Sequence, residues 1–329
     1  MKALAFVFAS LFMLTGCGGG VEISDRDFVV MAGIDKAENG GYSACVGSAV
    51  LSGDGDIGSV TVKSAEGQSL PKALEMSDLT DALSPYYGHM KTVLLGEELL
   101  KDEELLKSTA EVLTKNKDIN MKTIVLGCRG KAEDCIKAAS EKENDYGLYI
   151  WDFYKNGGKN SGVTYKMTIN DMAMKKGEGY ILPKAYGAGS NINISGGIVM
   201  DGYKYKGVLD SRLMRGCMLV SDKLKDAVLD LGRDSVKIKS NKTKFDFAAK
   251  DNSVICGISI YIKVQPLTEG INLSDMADSL AADITEAVKL IYKTYGTDAL
   301  GINKKLERFK PDLAGRDMDF DVTVYISVE

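Results

Sequence analysis

The chain has 329 residues, of which 45% are hydrophobic and 26% charged, with a formal net charge of −5 at pH 7. This is the composition of a folded globular protein with room for two or three domains. The mildly acidic balance argues against a nucleic-acid partner and against broad electrostatic adhesion to an anionic membrane.

The chain opens with Lys2 and then an unbroken run of apolar and small residues, Ala3 to Leu14. A membrane-spanning helix needs ~20 such residues, so this run reads as the core of a signal peptide. Leu14-Thr15-Gly16-Cys17 follows, in the pattern of a lipobox: an aliphatic residue, two small residues, then a cysteine that receives diacylglycerol. We therefore expect residues 1–16 to be a lipoprotein signal peptide and Cys17 to carry the lipid; an ordinary signal peptide with a chance cysteine is the alternative. Two acyl chains give stable anchoring at about 0.8 kcal/mol per buried CH₂. Gly18 to Gly20 would form a short, flexible tether.

Asp27–Ile34 reads as a buried strand. Lys36–Gly41 is a turn with the Asn39-Gly40 hairpin signal, and Tyr42–Leu51 is the return strand. Ser52–Gly58 is a loop before a strand at Ser59–Lys63. Ser69–Leu83 has helical apolar spacing, and Met90–Leu95 is a strand. Glu97–Lys115 reads as one helix with an acidic first turn, followed by a strand at Met121–Leu126 and a helix at Lys131–Ser140. Between 141 and 190, helical stretches at Asp145–Tyr154 and Thr168–Lys175 alternate with glycine-rich turns. Asn191–Met200 and Tyr203–Val208 form a hairpin with a type I′ turn predicted at Asp201-Gly202, and Ser211–Val220 is a helix. Val236–Lys250 and Ser253–Val264 form a second hairpin through Asp251-Asn252. Leu273–Tyr295 is the longest helix, with Met276, Leu280, Ile284, Val288 and Ile291 on one face. Phe320–Val328 alternates strictly, as a strand with one buried face does.

The expected fold class is α+β and multi-domain: two to three mixed α/β domains with antiparallel sheets and a long C-terminal helix packed on a sheet. We place an N-terminal α+β region at residues 17–190, itself divisible into two subdomains, and a C-terminal α+β domain at 191–329.

Catalytic patterns are weak. His89 is the one histidine, and neither a zinc HExxH nor a GxSxG elbow is present. His89 is expected to cap the Met90–Leu95 strand. Gly53–Gly58 formally matches GxGxxG, but a strand follows it where a helix is required. Asp54 and Asp56 give half a calcium loop without the later ligands. Ser69–Lys72 is an SxxK string without its partner motifs. Beyond Cys17 the cysteines are Cys45, Cys128, Cys135, Cys217 and Cys256, an odd number without a CxxC, read as buried small hydrophobes; a Cys128–Cys135 pair stays open. Neither a cofactor nor an enzymatic activity is expected.

Four blocks in order resemble the Ger(x)C, or GerAC-type, lipoprotein family of spore germinant receptors. They are Val21–Lys36 (VEISDRDFVVMAGIDK), Pro85–Leu99 (PYYGHMKTVLLGEEL), Gly197–Leu219 (GIVMDGYKYKGVLDSRLMRGCML) and Tyr295–Pro311 (YGTDALGINKKLERFKP). Three glycines follow Cys17 where the family often has Trp-Asp and further charges.

The resemblance implies a lipid-anchored, non-enzymatic subunit on the outer face of the spore inner membrane. Its partners would be the polytopic membrane subunits of a nutrient germinant receptor, and its fold three mixed α+β domains. Lys91, Asp210 and Arg215 lie in these blocks amid apolar or glycine-rich sequence, and are candidates for structural ion pairs or for partner contacts. A solute-binding lipoprotein of an importer is the alternative function. It needs two βαβ lobes around a cleft, whereas the hairpins predicted here favour antiparallel sheets.

Overall fold

The structure, a computed structural model, describes residues 26–51, 57–78, 83–141, 148–158, 162–188, 191–231 and 234–329. Cys17, the leader and the acidic loop at 52–56 lie outside the described residues.

The first sheet begins with the hairpin of β1 (Arg26–Lys36) and β2 (Tyr42–Leu51), continued by β3 (Ile57–Gly67). Gly40 takes a φ of 83° in the β1–β2 turn, which the Asn39-Gly40 signal anticipates. The sheet runs on through β5 (Thr92–Leu95), β6 (Ile124–Cys128), β7 (Gly179–Ala188), β8 (Asn191–Asp201) and β9 (Lys204–Leu209). The short β4 (Ser84–Tyr86) pairs with β1. The hairpin pairs at both flanks are antiparallel. The central pairs β1–β5, β5–β6 and β6–β7 are parallel.

Helices cover both faces of this centre, and that two-sided burial explains why β1, β5 and β6 are continuous apolar runs. On one face lie α1 (Leu70–Asp78), α2 (Glu97–Lys101), α3 (Glu103–Lys115) and α6 (Ile169–Met174), packed on Val29, Ile34, Val93 and Val125. On the other lie α4 (Ala132–Ser140) and α5 (Tyr149–Lys155), packed on Met31, Leu94 and Leu126.

The second sheet has the order β10 (Val228–Leu231), β11 (Asp234–Lys250), β12 (Ser253–Pro266), β13 (Asp317–Val328). Its first two pairs are antiparallel, and β13 runs parallel to β12. The long helix α8 (Leu273–Lys289), extended by a π-helical turn at Leu290–Thr294, lies against β13. Its face of Met276, Leu280, Ile284, Val288 and Ile291 is buried, as the spacing predicts. At ~1.5–3 kcal/mol per fully buried large apolar side chain, this face is a principal source of cohesion. Between the sheets lies α7 (Ser211–Val220), whose Met214, Cys217 and Met218 join one core with Val199 of the first sheet and Val254 and Ile258 of the second. The expected division at 190/191 falls between β7 and β8, and both β8 and β9 belong to the first sheet.

Three local expectations differ. The helix read over Glu97–Lys115 is broken at Asp102, whose extended backbone ends α2 and whose carboxylate caps α3 by accepting from the Leu105 N–H at 3.1 Å. Of the helix read over Ser69–Leu83, Leu70–Asp78 is helical, residues 79–82 lie outside the described residues, and Leu83 is non-helical and exposed. In the β8–β9 turn the two central residues are Gly202 and Tyr203, and only Gly202 has positive φ, which excludes type I′.

Candidate functional site

The family-like blocks meet in two places. In the first, β1 ends with Gly33-Ile34-Asp35. A Cβ at Gly33 would sit 3.0 Å from Ile136 and 3.2 Å from Ala132, so α4 rests directly on the strand. Asp35, only 7% exposed, accepts from the Ala132 N–H at 2.8 Å and from the Glu133 N–H at 3.0 Å. These are the first donors of α4, whose own N-cap residue, Lys131, provides no side-chain cap. The cap thus comes from a strand distant in sequence. Burial pushes the Asp35 carboxyl above the usual range, against the two backbone donors that pull it down.

Gly96 completes this arrangement. Its N–H donates to the Ile34 carbonyl at 2.9 Å, and a Cβ there would fall on the Asp35 Oδ1. The adjacent Glu97 holds the β6–α4 turn at Gly130: its N–H donates to the Gly130 carbonyl at 2.9 Å, and its carboxylate accepts from the Gly130 N–H at 3.0 Å. Lys101 and then the Gly130 N–H lower the Glu97 pKa. Lys36 pairs with Asp102 at 2.9 Å. Outside this knot is a cleft of about 410 Å³ lined by residues including Glu38, Glu66, Glu98 and Lys131.

The second meeting place joins the two sheets. The Tyr295 ring lies against Gly207 of β9, where a side chain would collide with it, and its hydroxyl donates to the Val208 carbonyl at 3.1 Å. Asp298 accepts from the Tyr292 hydroxyl and from the Asn303 and Lys304 N–H groups, at 3.1 and 3.2 Å, at the start of α9 (Ile302–Phe309). Lys304 and Lys175 both pair with Glu178, and together they hold its pKa down at about 2, the Lys304 hydrogen bond contributing most.

Lys91, Asp210 and Arg215 do not come together. The half-buried Lys91 places its Nζ 5.3 Å from the centre of the Trp151 ring, with Lys166 at 5.5 Å; its N–H donates to the Val30 carbonyl at 2.8 Å. Asp210 is exposed and is the N-cap of α7, accepting from the Leu213 N–H at 2.8 Å. Neither forms an ion pair among the described residues: Lys91 faces an aromatic ring, and the carboxylate of Asp210 is turned onto its own helix. Arg215 does reach a carboxylate, Asp283 of α8, at 3.4 Å, with its Nε buried and unpartnered. The closer partner is Arg212, at 2.7 Å from Asp283 and 2.9 Å from Glu286. Sequence reasoning missed Arg212; the signal was the Asp283/Glu286 pair, one helical turn apart on the face opposite it. It also missed the cap formed by Asp35, although Asp35 lies in the family-like block Val21–Lys36.

His89 sits in a 3₁₀ turn, edge-on to Phe28 and Tyr86 with ring centres 5.4 and 5.5 Å away. Cys45, Cys128, Cys135, Cys217 and Cys256 are all buried free thiols. Burial pushes Cys45 up to about 11 and Cys217 and Cys256 up to about 12. Among the described residues no group of three potential metal ligands converges, and no helix is long and apolar enough to cross a membrane.

Residues 19–183 match the family described as the spore germination protein N-terminal domain, and residues 195–329 match the spore germination B3/GerAC-like C-terminal family. Over 140 residues the chain is 29% identical to YfkR of Bacillus subtilis (strain 168), a protein named for spore germination; the match covers 40% of this chain and 36% of that protein. Over 138 residues it is 27% identical to spore germination protein KC of the same organism, covering 39% and 34%. The matched stretches thus span about a third of each relative's length. The crystal structure of the GerBC protein superposes with a TM-score of 0.58 at 14% identity, covering 90% of this chain and 96% of that one, which is a likeness of fold.

Proposed function

Because the chain belongs to the GerAC-type spore germination family, we propose that it is the lipid-anchored C-type subunit of a nutrient germinant receptor. The observation that carries this reading is the consecutive match of the N-terminal and C-terminal family domains over 19–183 and 195–329. The anchor is a diacylglyceryl group on Cys17, which holds the body against the outer face of the spore inner membrane. There it assembles with polytopic membrane subunits and works as a non-enzymatic scaffold, without a cofactor. Two features support a scaffold. The family-like blocks are used to clamp elements together, Asp35 on α4 and Tyr295 on β9, and the one imidazole stands edge-on to the rings of Phe28 and Tyr86.

Deleting the gene should abolish the response to particular nutrients, while direct chemical triggers that bypass receptors still release dipicolinate. Unchanged nutrient germination, with no paralogue to compensate, would overturn the assignment. Cys17→Ala should leave the protein exported but shift it from the detergent phase to the aqueous phase; equal partitioning of parent and variant would refute the anchor.

A further inference from the structure

The outer face of the second sheet, turned away from α8, gathers lysines and tyrosines toward the C-terminal halves of β12 and β13. The register aligns Lys242 of β11, Tyr261 of β12 and Tyr325 of β13 in one cross-strand row. Lys244 lies two residues along β11 opposite Ser259, and Lys263 lies two residues along β12 opposite Ser240. All five side chains, of Lys242, Lys244, Lys263, Tyr261 and Tyr325, are exposed. The tyrosine rings stack on each other at 5.0 Å and 14°, and the Lys244 ammonium stands 5.0 Å over Tyr261. None of the three lysines has a carboxylate partner among the described residues. The row containing Asp246 and Asp321 lies four residues away on the same face, roughly 13 Å at the rise of a strand; beyond it Lys293 pairs with Asp317 and Asp319, and Lys250 shares the row of Asp317.

We propose that this lysine–tyrosine platform is a docking surface for the anionic headgroups of a bilayer. A pleated sheet face is flat and offers no cleft, which suits a planar surface better than a small ligand. Tyrosine, with an apolar ring and a wet hydroxyl, suits the depth of the headgroups. Lysine stems lie along such a surface while their ammonium groups pair with phosphate. The chain as a whole is acidic, so the attraction is local, and the row of Asp246 and Asp321 repels the same membrane and tilts the sheet so that its lysine–tyrosine end approaches. This inference rests on the reading of the chain as membrane-anchored, since weak headgroup contacts hold a body that a tether already keeps near the surface.

The test uses the chain from residue 17 carrying Cys17→Ser, so that no lipid contributes, in sedimentation with vesicles of phosphatidylcholine alone or mixed with phosphatidylglycerol. Binding should require phosphatidylglycerol and weaken with salt. Lys242→Glu/Lys244→Glu/Lys263→Glu should lower the partition coefficient about a hundredfold, at roughly fivefold per lysine. Tyr261→Ser/Tyr325→Ser should lower it further, with unchanged melting temperatures for both variants. Equal binding to both vesicle types, equal binding of the charge-reversed variant, or binding to polyglutamate but not to vesicles would each refute the proposal; the last would assign the platform to an acidic protein segment. Loss of the anchor reading shows separately, in detergent partitioning of the Cys17 form.

Discussion

Gly96 and Asp35 occupy one space: the Asp35 carboxylate lies where a side chain at residue 96 would begin. Only glycine there lets β1, the β5–α2 corner and the N-terminus of α4 share a single buried capping group. Gly96→Ala should therefore push Asp35 off the α4 N–H groups. We expect a loss of about 1–3 kcal/mol in urea unfolding, from overpacking and the lost cap. A change below a few tenths would mean that the corner rearranges freely.

Asp35→Asn keeps the shape but turns an amide N–H toward one of two backbone donors, and should cost roughly 1–2 kcal/mol near neutral pH. The pH dependence follows from the raised native pKa of Asp35. Its protonated form is favoured by folding, so wild type carries an extra stability below the unfolded value of about 3.8 that is lost as pH rises through the native pKa. The advantage of wild type over Asp35→Asn should narrow across that window. A constant difference from pH 3 to 7 would show that burial does not perturb this carboxyl.

Ile284 is fully buried beneath α7, where a Cβ on Gly216 would sit 3.3 Å from the Ile284 Cα. Ile284→Asp would bury an unpaired carboxylate in the core shared by the two sheets, at roughly 3–5 kcal/mol. Thermal melting should fall steeply. An unchanged melt would mean that this face is open in solution.

Asp283 is 13% exposed and faces both Arg212 and Arg215. Asp283→Asn leaves Arg215, whose Nε already lacks a partner, without a counter-charge, and should cost about 1–3 kcal/mol. Arg212 is 41% exposed, and Arg212→Ala should cost less than ~1 kcal/mol. Arg215→Ala should lower protein abundance in spores together with nutrient germination. Normal abundance with lost germination would reveal instead a partner contact at Arg215.

Much of this protein was legible along the chain. Period-two alternation marked β11, β12 and β13, and 3.6-residue spacing marked α8, because one-sided burial writes itself into a single segment. Asn39-Gly40 and Asp251-Asn252 marked two hairpins by their own backbone preferences, Gly40 and Asp251 both taking positive φ. The four family-like blocks are likewise local strings. The tertiary structure decided what depends on pairs of distant segments. Runs such as Val93–Leu95 and Ile124–Cys128 are apolar on both faces whether their neighbours run parallel or antiparallel, so the parallel centre of the first sheet left no local trace. Asp102 breaks the helix read over Glu97–Lys115 with a carboxylate that also meets Lys36 of β1. Asp35 caps a helix that begins at residue 132, and the choice between Arg212 and Arg215 for Asp283 was settled by how α7 lies across α8. A buried carboxylate takes whichever donors the fold brings to it, and those donors are a property of packing, not of the segment that carries the charge.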